Sequence, residues 1–142
     1  MKLSPSSLAN LKGVHPDLVK VVMKAAEITD LDFAISEGKR DLARQKKLLA
    51  AGATTLLKSR HLTGHAVDLV PILDGKPRWD WPLYLKLAVT MRTAAQALNI
   101  PIRWGGIWEI INPTKGPFTT AMLSKKFPDG PHFELPRTIY PA

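Results

Sequence analysis

Apolar residues return at helical spacing in three stretches of this chain. Leu18, Val21, Val22, Ala25 and Ile28 mark one face of a helix over 16–29, which Pro16 is suited to start. Leu42, Ala43, Leu49 and Ala50 mark a second over 40–51, which Gly52 ends. Leu83, Leu87, Met91, Ala94 and Leu98 mark a third, longer helix behind Asp80-Trp81-Pro82. Residues 3–11 suit a short opening helix. Short runs of strand character lie between these helices, at 31–36, 66–71, 102–104 and 132–135, and Asp74-Gly75 reads as a hairpin turn. Residues 109–128 follow neither period. Asn112-Pro113-Thr114-Lys115-Gly116-Pro117 is loop chemistry, and Thr119 or Thr120 is placed to cap a short helix through Ala121 to Lys125. A connection this long in a compact domain is commonly a lid or a binding loop. The pattern predicts an α+β domain in which helices flank short strands.

Composition narrows the class. The 142 residues suit a single domain, 1–142, with no linker to a second. The absence of cysteine excludes disulfides and thiolate metal sites, so a bound metal must be held by histidine and carboxylate. No run of eighteen apolar residues exists, which argues against stable membrane insertion. The start, Met1-Lys2-Leu3-Ser4-Pro5-Ser6, turns polar too early for a secretory signal. A net charge of +8 draws the chain to polyanions such as nucleic acid, anionic lipid or an acidic wall polymer, or else only solvates its surface. Nucleic acid is the poorest fit. Its single strands want aromatic residues interleaved with basic ones, whereas the tryptophans here fall among Pro and Gly.

Three distant clusters carry the candidate chemistry: residues 59–68, Trp104-Gly105-Gly106, and residues 129–134. A zinc hydrolase needs three protein ligands, an open position for water and a nearby carboxylate. His61, Asp68 and His132 can supply the ligands. His61 and His65 have the spacing of a helical zinc pair, but Leu62 cannot act as a base and Gly64 disfavours the helix. His65 is then a rim residue open to substrate. Asp68 lies in an apolar run with Val67, Leu69 and Val70, where a carboxylate needs a metal or a basic partner. Strand alternation puts His132 and Glu134 on one face and Phe133 on the other. Asp129 and Glu134 are rival bases at this point, and Glu134 can instead orient a ligand. His15, just before Pro16, reads as a surface or capping residue.

The pattern Ser59-x-His61-x-x-Gly64-x-Ala66-x-Asp68, together with Asp129-Gly130-Pro131-His132-Phe133-Glu134-Leu135, resembles the VanY-like zinc peptidases. It is most similar to the phage endolysins that are L-alanyl-D-glutamate endopeptidases. Ser36, Gly38, Arg40 and Gln45 match a further family segment, as does Trp104-Gly105-Gly106 with Trp108. The resemblance implies a small, mostly antiparallel sheet carrying a zinc site and flanked by helices, as in the D-alanyl-D-alanine peptidase and hedgehog-like folds. It implies zinc on His61, Asp68 and His132, Asp129 as catalytic base, and Arg40 polarising the scissile carbonyl. Ser36, Gln45, Ser59, His65, Trp104 and Glu134 become substrate-contacting or supporting residues. Asp129, shorter than the Glu of related D-alanyl-D-alanine carboxypeptidases, favours the endopeptidase branch. That carboxypeptidase activity and a non-catalytic zinc-bearing wall-binding domain are the alternatives. Ile107, where relatives often carry Asp, and the long 109–128 stretch depart from the family pattern. The implied setting is a monomer made in the host cytoplasm and acting on peptidoglycan stem peptides in the periplasm. A separate membrane-lesion protein would release it, and no wall-binding domain is attached.

Overall fold

The computed structural model describes residues 1–52 and 59–141. Among the described residues, four α-helices form: α1 (Pro5–Asn10), α2 (Pro16–Ile28), α3 (Leu42–Ala50) and α4 (Trp81–Leu98). Their starts follow from local chemistry. Pro5 and Pro16 stand in first turns, and the Ser4 hydroxyl, the His15 ring and the Asp41 carboxylate each accept a backbone N–H there. Asp80 does start α4 but does not cap it with its side chain. Its carboxylate is held at 3.0 Å by both Nε and Nη2 of Arg78.

The described residues also form six short strands: β1 (Phe33–Glu37), β2 (Ala66–Leu73), β3 (Lys76–Pro77), β4 (Arg103–Trp104), β5 (Glu109–Ile110) and β6 (His132–Glu134). The sheet order is β1-β2-β6-β4-β5, with β3 hairpinned onto β2 through Asp74-Gly75, and every pairing is antiparallel. Both turn residues have positive φ, at 53° and 75°, as a tight two-residue hairpin requires. Residues 109–128 contain the unforeseen strand β5 and a single 3₁₀ turn, Thr120–Met122, in place of the expected helix. Thr119 makes no capping bond there.

The register sorts side chains into rows. Val67, Phe133 and Trp104 are cross-strand neighbours, and all three sink into the core. They meet Leu18, Val21 and Val22 of α2 and Leu87 and Met91 of α4 in one apolar cluster. The adjacent row, Asp68 with His132 on one side and Glu37 on the other, does not enter this core. Glu37 reaches that row because the β1–β2 register shifts between Ile35 and Glu37, a bulge at Ser36 that re-aims the strand end. In α3, Gln45 is the buried residue, while Leu42 and Leu49 are exposed. Among the described residues, no helix is long and apolar enough to cross a membrane.

Candidate metal centre and cleft

His61 arrives on a 3₁₀ turn, Arg60–Thr63, capped by the Ser59 hydroxyl, which accepts the His61 N–H at 3.2 Å. Gly64 ends the turn at φ +76°, and a Cβ there would lie 2.2 Å from the Gly13 carbonyl oxygen. Only glycine meets both demands. The turn also settles the histidine spacing, since His61 and His65 share no α-helical face. The His61 Nδ1 lies 2.8 Å from the Gly38 carbonyl oxygen, which can only accept. Nδ1 therefore carries a proton, which leaves Nε2, 3.2 Å from Asp68 Oδ1, as the nitrogen a metal can take.

His132 is oriented by the same logic from the other side. Its Nε2–H donates to Glu134 Oε1 at 2.8 Å, leaving Nδ1 3.4 Å from Asp68 Oδ1. His61, Asp68 and His132 thus offer two nitrogens and one carboxylate oxygen, all within 4.8 Å of one another, and could hold a metal ion. Tetrahedral ligands at about 2.0–2.1 Å stand roughly 3.3 Å apart, close to the 3.2 and 3.4 Å separations here. Each imidazole has its far nitrogen engaged by an oxygen, as metal-bound histidines require.

The charges in this cluster are strongly coupled. Burial raises the Asp68 carboxyl, but the hydrogen bonds and charges of His132 and His61 overcome it and hold the group well below the usual range. Burial lowers the His132 ring, yet hydrogen bonds to Asp68 and Glu134 push it up to about 10. Asp129 behaves oppositely. Burial and the nearby Asp68 charge raise its carboxyl above the ordinary carboxylate range.

These groups line a cleft of about 500 Å³. Asp129 is placed by backbone contact: its N–H bonds the Gly105 carbonyl at 2.9 Å, and a Cβ on Gly105 would fall 2.4 Å from the Asp129 oxygen. Arg40 is buried at one side. Its Nε and Nη2 grip the two Glu37 oxygens at 2.8 Å each, and its Nη1 bonds Gln45. This leaves Nη2 3.9 Å from Asp68 Oδ2.

A family model described as phage L-alanyl-D-glutamate peptidase matches residues 1–136. The L-alanyl-D-glutamate peptidase of Escherichia phage T5 is 31% identical over 138 residues, covering 94% of this chain and 97% of that protein. The crystal structure of the Serratia marcescens L-Ala D-Glu endopeptidase ChiX superposes with a TM-score of 0.83 at 41% identity, covering 100% of this chain and 95% of that one. This chain belongs to the phage L-alanyl-D-glutamate peptidase family. Its α+β fold, with an antiparallel sheet bearing the His–Asp–His group, is the one the family motifs imply.

Placed in this family fold, the remaining sequence candidates separate. Ser59, Glu134 and Arg40 line the cleft with His61, Asp68, Asp129 and His132, and Gln45 supports Arg40 from beneath. Trp104 does not face the cleft. It is wholly buried on the core side of the sheet, stacked near Phe133 with Phe118 tilted against it, and its indole N–H bonds the Gly130 carbonyl at 2.8 Å. Its link to the site is to hold the Asp129 turn. Ser36 is exposed at the bulge, and its hydroxyl points to the Asp68 carbonyl at 3.4 Å. His65 lies outside the cleft, bonded to Thr63 and close to the His15 ring, and His15 caps α2. Sequence reasoning missed Glu37, Arg103, Trp108 and Arg137 as lining groups. Glu37 had a signal, since it sits inside the matched Ser36–Arg40 segment.

Proposed function

We propose that this protein is a zinc-dependent endopeptidase of peptidoglycan that cuts the L-alanyl-D-glutamate bond of stem peptides. One observation carries the reading: His61 Nε2, Asp68 Oδ1 and His132 Nδ1 converge beside the raised carboxyl of Asp129 in an open cleft. The donor set suits zinc, having two imidazoles and one carboxylate and no thiolate. Zinc bound there would supply Lewis acidity, lowering the pKa of water toward about 7 and polarising a carbonyl.

The protein's own groups do the rest. Asp129 takes a proton from the attacking water and returns it to the departing amine. Arg40, fixed by Glu37 and Gln45, places positive charge where the carbonyl oxygen becomes an oxyanion. Glu134 keeps His132 Nε2 protonated and its Nδ1 free. The endopeptidase reading is supported by what the two relatives are named for, and the phage setting by the family description. Action at the wall would follow passage through a lesion made by another protein.

Elemental analysis of protein purified without chelator tests the metal assignment. One zinc per chain is expected, largely lost in His132→Ala. A fully active protein containing no metal would end this reading.

A further inference from the structure

Four arginines and four carboxylates line the cleft, but they are paired unevenly, and the arginines at one end are the least answered. Arg60 is 3% exposed. Its Nη2 bonds the carbonyls of Leu135 at 2.8 Å and Tyr140 at 2.7 Å, while its Nε and Nη1 have no hydrogen-bond partner. A guanidinium buried with two unmet nitrogens is costly unless something else completes it. Arg137 follows two residues after Leu135, is exposed, and lines the same cleft. Among the described residues, no carboxylate lies within ion-pair distance of Arg60 or Arg137. Arg103 does have one, Glu134 Oε2 at 3.5 Å, but Glu134 already serves His132 through Oε1. Of these three guanidiniums, only Arg103 has a carboxylate within ion-pair distance. Arg40 on the other side differs, because Glu37 and Gln45 engage all three of its nitrogens.

We propose that Arg60, Arg103 and Arg137 form a carboxylate subsite that recognises the glutamate following the scissile bond. The assignment rests on the endopeptidase reading. When alanine acylates the glutamate nitrogen and the peptide continues through one carboxyl, the other remains free and negative. Guanidinium groups match a planar carboxylate in shape and charge. The subsite makes that free carboxylate a determinant of specificity, and a neutral amide in its place leaves the arginines unanswered.

Two soluble stem peptides, identical except for a free carboxylate or a carboxamide on that glutamate, test this. The wild-type protein is expected to cut the carboxylate peptide with kcat/KM about 10- to 100-fold higher. Arg137→Gln should lower the rate on the carboxylate peptide, spare the amide peptide and so shrink the ratio, and Arg137→Lys should restore part of it. Arg60→Gln also frees the tail that Arg60 holds, so it is read as the ratio between the two peptides, in which any unfolded fraction cancels. Equal cutting of both peptides by the wild type, or an unchanged ratio in the variants, overturns the subsite alone. Cutting of neither peptide by the wild type overturns the endopeptidase reading and the subsite with it.

Discussion

Glu134 Oε1 accepts a hydrogen bond from His132 Nε2 at 2.8 Å, across two residues of one strand. The geometry follows from strand alternation, which puts both side chains on one face and Phe133 in the core. It fixes the ring so that Nδ1 faces Asp68. Burial raises the Glu134 carboxyl, but the hydrogen bond and charge of His132, with Arg103 and Arg60, keep it ionised and below its usual range. Glu134 is thus committed to His132 and poorly placed to act as the base. Glu134→Gln should weaken zinc affinity about 10- to 100-fold with the fold retained. Competition with a chromophoric chelator measures this, and unchanged affinity would remove the orienting role.

Asp129 should behave differently. Asp129→Asn is expected to keep zinc and thermal stability while turnover on a stem peptide falls about 10²- to 10⁴-fold. If Glu134→Gln abolishes turnover at saturating zinc and Asp129→Asn does not, the two roles are reversed.

Metal binding should release a proton. The His132 ring, pushed up to about 10 against an ordinary 6.5, is charged at neutral pH in the metal-free protein. A raised pKa stabilises the metal-free fold fully below about pH 6.5, and that contribution is lost as pH rises through about 10. A metal needs the neutral ring, so it must expel this proton, and affinity should climb with pH. Calorimetry in two buffers of different ionisation enthalpy should report about one proton released per ion. Release of none would mean that His132 is not a ligand.

Charge makes a separate forecast. A +8 protein on an anionic wall gains local concentration, and the Debye length shrinks from about 10 Å at 0.1 M salt to about 3 Å at 1 M. High salt should weaken lysis of intact wall far more than cleavage of a short soluble peptide. Equal loss on both substrates would place the effect at the site or the fold.

Much of the site was legible because burying charge is expensive. Asp68 between Val67, Leu69 and Val70 had to be paired, and its partners are His61 and His132. Gly64 argued against a helical histidine pair, and it takes the left-handed conformation that ends the His61 turn. Other features depend on register and on backbone contacts that no side-chain pattern announces. Glu37 turns into the cleft through a bulge at Ser36. Trp104 points to the core because it pairs with Phe133 on a strand of two residues, too short to display alternation. The 109–128 connection docks through main-chain bonds from Ser124 to Gly106 and, just beyond it, from Asp129 to Gly105. Arg60 and Arg137 meet at the cleft only once β6 and the tail have folded back.

The activity expected of this protein is zinc-dependent cleavage at one bond. It is tested most directly by mass spectrometry of purified peptidoglycan treated with chelated protein and with the same protein after zinc is restored. No peptide release is expected from the chelated sample. With zinc, fragments that begin with glutamate and leave alanine on the glycan are expected. Cleavage that persists without metal, or zinc-dependent cleavage that only trims a terminal D-alanine, would contradict it.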